Sequence, residues 1–179
     1  VTLNNGATFS TVYNQPTAEF YDVEVDNLVP YRLYGSQQDN STIIVPSRPG
    51  RNQLRPQEAW RYAAGCETGP IGFDPNDPDV IWGGCYAGVI NRMVVSSGTR
   101  RNMNLYPVST GVAPSELRYR FQWVAPIVVS PHDAQTVYHA SQYVHRTRDG
   151  GMTWETISPD LSYADPSTLQ FPGGPIHAD

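Results

Sequence analysis

Hydrophobic and polar positions alternate most clearly over Phe20–Val25, where Tyr21, Val23 and Val25 fall on one face and Asp22 and Glu24 on the other. This period of two predicts a strand with one face in a core. Ile127-Val128-Val129 is instead a continuous apolar run, the pattern of a strand covered on both faces by adjacent layers. Nowhere do apolar residues recur at i, i+3, i+4 and i+7 for long enough to predict a helix. The chain therefore reads as all-β.

The pattern repeats. Phe20 to Val45, Pro70 to Val95 and Val124 to Thr147 share one layout: an apolar strand, an acidic or Pro-containing turn, an aromatic-bearing strand, a second turn and a third strand. Asp26-Asn27, Asp74-Pro75-Asn76-Asp77-Pro78 and Ser130-Pro131-His132-Asp133 occupy the same place, and Tyr34-Gly35, Trp82-Gly83 and Tyr138-His139 follow at matched distance. Tyr34 to Trp82 spans 48 residues and Trp82 to Tyr138 spans 56. Fourth strands fit near Ala59 to Tyr62, Arg101 to Leu105 and Thr153 to Ile157. Such a period suits a β-propeller of four-stranded antiparallel blades. The expected organisation is the last hairpin or strand of a preceding blade over 1–15, blades over 16–62, 63–106 and 107–158, and an irregular tail or linker to a following blade over 159–179. Three blades plus a partial one make an incomplete ring, because closed propellers use about four to eight.

Two motifs sit in phase with this repeat. Thr147-Arg148-Asp149-Gly150-Gly151-Met152-Thr153-Trp154 follows the pattern S/T-x-D-x-G-x-T-W. An Asp can accept backbone N–H bonds across a hairpin turn, a Gly supplies positive φ, and the closing Trp covers the apolar edge below. Thr2-Leu3-Asn4-Asn5-Gly6-Ala7-Thr8-Phe9 is a degraded copy, with Asn4 for the Asp and Phe9 for the Trp. On these residues the chain resembles the BNR/Asp-box repeat propellers, a superfamily that includes sialidases, xyloglucanase-type glycoside hydrolases, sortilin-type receptors and photosystem-II-assembly-factor-like proteins. The runs Phe20–Asn27, Tyr34–Asn40, Tyr119–Trp123 and Ile157–Leu161 look like those of a bacterial group described only as BNR-repeat or glycosyl-hydrolase-like. The resemblance implies that Thr147, Asp149, Gly151, Thr153 and Trp154, with Asn4, Gly6, Thr8 and Phe9, are structural and remote from any active site. The carboxylate, Tyr and triple-Arg set of sialidases has no counterpart that can be assigned here.

Composition narrows the partners. Charged residues are 16%, with 16 Pro, 15 Gly and 11 Tyr, as expected for short strands and many tight turns. The net charge is −5, and all 12 basic residues are Arg. No dense basic stripe exists to follow phosphates, so nucleic acid is not an expected partner. No run of about 18 apolar residues predicts a membrane span. The chain starts inside a motif and ends in the Gly/Pro-rich Pro172-Gly173-Gly174-Pro175, so both ends are expected to be truncated, processed or disordered.

Up-and-down connectivity sends alternate connections to opposite ends of each blade. The first-to-second strand turns and the Asp-box hairpins share one end. The other end receives Ser36 to Ser41, Cys85 to Gly88, Ser141 to Gln142 and the links Ala63 to Gly69 and Tyr106 to Gln122. Ligand candidates there are Gln37, Gln38, Tyr86, Glu116, Arg118 and Arg120, with Asp39 and Glu67 as the carboxylates that glycoside hydrolysis would need. Against catalysis, Asp39-Asn40-Ser41 is ordinary turn chemistry, and Arg118 and Arg120 alternate as one exposed strand face would. If Pro70–Phe73 pairs with Asp79–Gly84, residues 66 and 85 come nearly opposite each other, which predicts a Cys66–Cys85 disulfide; the alternative is two small buried thiols. A disulfide would imply a periplasmic or secreted protein. The acid-rich Asp74–Asp79 segment reads as a structural turn and His132, His139 and His145 lack ligand spacing, so no metal or cofactor is expected. The expected function is a noncatalytic binding or scaffold segment that holds a protein partner or glycan, as an accessory subunit of an extracytoplasmic or membrane-associated assembly. The alternative is part of a BNR-type glycoside hydrolase acting on polysaccharide.

Overall fold

A computed structural model describes residues 1–10, 17–48, 50, 56–74, 76–108 and 110–171. Twelve strands form three sheets, and the described residues contain no α-helix. The first sheet holds β1 (Phe20–Val25), β2 (Arg32–Gln37), β3 (Thr42–Pro46) and β4 (Arg61–Tyr62). The second holds β5 (Ile71–Phe73), β6 (Val80–Cys85), β7 (Val89–Val94) and β8 (Thr99–Asn102), and the third β9 (Ile127–Val129), β10 (Val137–Ala140), β11 (Val144–Thr147) and β12 (Glu155–Thr156). Each is an antiparallel meander whose spatial order is its chain order. The predicted fourth strands are present but shorter or displaced toward the N-terminus, Thr99–Asn102 being the largest departure.

Register makes the three sheets equivalent. Tyr34 pairs with Glu24 and Ile44, Trp82 with Gly72 and Arg92, and Tyr138 with Val128 and Arg146, so each sheet carries its aromatic at the same position of its second strand. The first turn of each sheet is also closed alike: Asp26, Asp74 and Ser130 donate their backbone N–H to the carbonyls of Arg32, Val80 and Thr136, at 3.2, 3.1 and 2.9 Å. The side chain of each turn-opening residue then accepts an N–H two residues on, from Leu28, Asn76 and His132 respectively. This local geometry is why Asp and Ser recur there.

The sheets stack face on face, with the second in the middle. Tyr34, Ile44, Ile71, Ile81 and Met93 form the core between the first and second sheets, and Trp82, Ile90, Ile127 and Val137 that between the second and third. The stack does not close into a ring among the described residues. Two sequence expectations change as a result. Val23 and Val25 do not enter a core but lie exposed on the outer face of the first sheet, and Tyr21, beside a register shift in the strand, is also exposed and bonds through its hydroxyl to Gln38 and Trp123. Val128, expected to be covered on both sides, is 54% exposed. In both cases the pattern is that of a buried strand, but no layer among the described residues lies against the face.

The cysteines are joined as a Cys66–Cys85 disulfide with Cα atoms 5.0 Å apart. The backbone sets this up: the Cys66 N–H donates to the Gly84 carbonyl at 3.0 Å, which lays the 63–69 connection along the end of β6. Closing a loop of this length removes about 3 kcal/mol of unfolded-chain freedom in the chain-entropy picture.

Candidate functional site

At the end of the stack where β6 turns into β7, Tyr86–Gly88 makes a tight turn with Ala87 and Gly88 both at positive φ. Gly88 is required here, because a Cβ would lie 2.3 Å from the ring of Phe121. Phe121 belongs to the connection between the second and third sheets, and the Gln142 side chain anchors that connection. Its Oε1 accepts the Arg120 N–H at 2.7 Å and its Nε2 donates to the Arg118 carbonyl at 3.1 Å. Gln142 lies in the second-to-third strand turn of the third sheet, so these contacts put that turn and the inter-sheet connection at one end of the stack.

Beneath this connection lie two histidines. The Phe121 ring stacks on His139 with centroids 5.1 Å apart, and Tyr119 meets His145 edge-on at 4.8 Å. His139 faces the carbonyls of Pro126 and Gly88, and His145 sits between the hydroxyls of Ser141 and Thr156. Burial pushes both imidazoles down; His145 falls to about 4, with the neighbouring His139 adding to the effect. Burial thus disfavours the charged form of both rings, which serve as a hydrogen-bonded floor.

Above the floor opens a cleft of about 480 Å³ lined by Tyr86, Tyr106, Glu116, Arg118, Tyr119 and Trp123, among others. Tyr86 and Trp123 stack at 5.0 Å and 20° and remain 43% and 51% exposed. The Trp123 indole N–H donates to the Tyr21 hydroxyl at 3.1 Å, and that hydroxyl donates to Gln38 Oε1. Gln38 in turn donates to Asp39 Oδ1 at 3.0 Å, and the Asp39 backbone N–H donates to Glu67. A continuous chain of contacts thus links the first sheet to the cleft. The disulfide braces it, since Glu67 follows Cys66 and Tyr86 follows Cys85. Arg118 holds its guanidinium 5.1 Å from the Tyr106 ring centre and 5.3 Å from that of Tyr119, within cation–π range of both members of an edge-on ring pair.

Of the residues singled out by sequence, Tyr86, Glu116 and Arg118 line the cleft, and Gln38, Asp39 and Glu67 form the hydrogen-bonded group beside it. Gln37 turns away, donating to the Ser41 carbonyl at 2.8 Å and lining a separate groove with Trp60 and Tyr62. Arg120 also leaves: it pairs with Asp160 at 3.1 Å and donates to Ser162 at 2.8 Å. Residues 118–120 are not in a strand, so Arg118 and Arg120 do not share an exposed strand face. Tyr106, Tyr119, Phe121 and Trp123 were not singled out as ligand candidates. Their signal was the alternation of aromatic and polar residues over Tyr119–Trp123, inside a connection rather than a strand.

The Thr147–Trp154 hairpin lies at the opposite end, with the first turns of the sheets. Asp149 Oδ1 accepts the Thr153 N–H at 2.9 Å and the Thr147 hydroxyl at 2.8 Å, while Oδ2 accepts the Thr153 hydroxyl at 2.6 Å. These bonds, that from the Thr153 hydroxyl first, hold the carboxyl down at about 2. The Gly150 N–H donates to the Gln135 carbonyl at 3.2 Å, joining this hairpin to the first turn of its own sheet. The Asp74 carboxylate accepts the N–H groups of Asn76 and Asp77, as turn chemistry requires. No helix among the described residues is long and apolar enough to cross a membrane. No protein-family model matches the sequence and no curated protein matches it, so function has to be read from the residues themselves.

Proposed function

We propose that this chain is a segment of a β-propeller of the BNR/Asp-box class, acting as a noncatalytic binding and scaffold module in a periplasmic or secreted assembly. Support comes from three sheets of equal register stacked in one sense, identically closed first turns, and the two Asp-box hairpins. The disulfide fits an oxidising compartment.

The observation that carries the scaffold reading is the state of the repeated aromatic. Tyr34 and Trp82 are each 1% exposed, covered by the following sheet. Tyr138, in the same register position, shares its face with the exposed Val128. At the other end of the stack, Val23, Leu33, Ile43 and Val45 line an apolar groove on the outer face of the first sheet. Apolar sheet faces of this kind are interfaces, and here they are read as seats for neighbouring blades or a partner subunit of the assembly. The chain on its own should therefore self-associate or bind a hydrophobic dye, and Val23→Lys with Val128→Lys should suppress both. A monodisperse, dye-negative monomer by light scattering removes the basis of the scaffold reading.

A further inference from the structure

We infer that the cleft between the Tyr86 turn and the Tyr119–Trp123 segment binds a carboxylate-bearing polysaccharide, a chain of pyranose rings that includes uronate units. The inference rests on reading the chain as a binding module and names the ligand class of its cleft.

The aromatic platform argues for a sugar. Trp123 is anchored at its edge by the bond to Tyr21 and backed by Tyr86, which leaves exposed ring surface at the cleft. Ring faces carry negative quadrupole charge, and the weakly positive C–H groups on one side of a pyranose match a flat surface of that kind. Hydroxyls at the rim of such a ring meet Glu116, an acceptor, and the phenols of Tyr106 and Tyr119. The wall is pre-organised: Phe121 and Tyr119 rest on the two buried histidines, and the disulfide fixes Tyr86 beside Glu67. A wall that does not have to be ordered on binding loses less affinity to entropy.

Arg118 argues for a carboxylate. Arg32, Arg120, Arg146 and Arg148 all sit within reach of an acidic side chain. Arg118, like Arg61, Arg92, Arg100 and Arg101, forms no ion pair among the described residues, but unlike them it lines this cleft, beside the rings of Tyr106 and Tyr119. A guanidinium presents a planar fork of donors that a carboxylate matches with two parallel bonds. The chain carries a net charge of −5, and Arg118 is the arginine among the residues lining the cleft, so attraction for a carboxylate there comes from this group rather than from overall charge.

The experiment titrates the whole chain with polygalacturonate oligomers, their methyl esters, dextran and a poly-glutamate peptide, following Trp fluorescence and heat. Saturable binding to polygalacturonate is expected. Arg118→Ala and methyl esterification should each weaken it by about tenfold or more, the usual size of losing a charge-assisted pair. Trp123→Ala, or Tyr86→Ala should that variant misfold, should abolish it with circular dichroism and the disulfide unchanged. Equal binding of the methyl ester or of dextran overturns the carboxylate assignment, and equal binding of poly-glutamate overturns the sugar. Unchanged affinity in Arg118→Ala and Trp123→Ala together overturns the site. Absence of binding to every polymer overturns the proposal while leaving the scaffold reading to stand or fall on the self-association test.

Discussion

The hairpins at Thr147–Trp154 and Thr2–Phe9 are alike in their bonds and opposite in their settings. In each, the leading Thr hydroxyl accepts a glycine N–H, from Gly151 to Thr147 at 2.9 Å and from Gly6 to Thr2 at 3.0 Å. In each, the Asp or Asn side chain accepts the N–H of the following Thr at 2.9 Å. Positive φ falls on Gly150 and Gly151 in one and on Asn5 and Gly6 in the other. Trp154, however, packs into the core against the second sheet and donates its indole N–H to the Met103 carbonyl at 2.9 Å, whereas Phe9 is 72% exposed. A short motif can build its own hairpin, but seating the aromatic needs a neighbouring sheet. Only the seated copy contributes to the tertiary core.

The strongest test removes the aromatics. Trp154→Ala should cost about 3 kcal/mol or more, since it deletes a large ring and leaves the Met103 carbonyl unpartnered. Phe9→Ala should change global stability by no more than about 0.5 kcal/mol, as surface changes do. Urea unfolding read by near-UV circular dichroism separates the two, and equal losses would mean that Phe9 has a seat after all.

A smaller effect comes from the glycines. Gly6 and Gly151 both hold positive φ, at 87° and 93°, so alanine is strained in either hairpin. At Gly151 an added Cβ would also lie 2.8 Å from Met103 and 2.9 Å from Trp82, while at Gly6 the nearest atom is Phe9 at 3.8 Å. Gly151→Ala should therefore destabilise by about 2 kcal/mol, strain plus overpacking, and Gly6→Ala by about 1 kcal/mol, confined to its own hairpin. Melting curves for the first and amide exchange at Thr8 for the second measure the difference.

The smallest effect is a titration that only one hairpin undergoes. Asp149 in the folded chain titrates near 2, below its ordinary value. A carboxylate held down in this way contributes stability above its unfolded pKa of about 4, and loses that contribution as the pH falls through the folded value. The Thr153 amide shift should then move with a midpoint near pH 2, while the Thr8 amide, bonded to the Asn4 carbonyl oxygen, stays flat across the same window. Asp149→Asn should make the two alike; a Thr153 midpoint near 4 would show that the carboxylate is not the hub of its turn.

Much of the fold was legible because it is local. The aromatic repeat at Tyr34, Trp82 and Tyr138 returned as one register position, since the turn bonds closing over six residues are the same in every copy, opened by Asp26, Asp74 and Ser130. The pairing of Cys66 with Cys85 followed from the register of one hairpin. The cleft was only partly legible. Tyr86, Glu116 and Arg118 were found from the end of the sheet on which they lie, but Trp123 and Tyr119 sit in a connection without strand periodicity. Their rings enter the site through Phe121 packing on Gly88, a contact between distant segments that no spacing encodes.

The sequence alone was enough for an all-β chain of three repeats, one Asp-centred and one Asn-centred hairpin, and it pointed to the one disulfide, because each depends on hydrogen bonds or covalent reach within a few residues or a single hairpin. Tertiary structure alone decided which apolar faces are covered. Tyr34 and Trp82 lie under a sheet and Val23, Val25 and Val128 do not, although their strands read alike. It also decided that Arg118 faces the cleft while Arg120 pairs with Asp160, and that His139 and His145 form a buried floor. Burial is a property of two surfaces meeting, and a strand carries the pattern of only one of them.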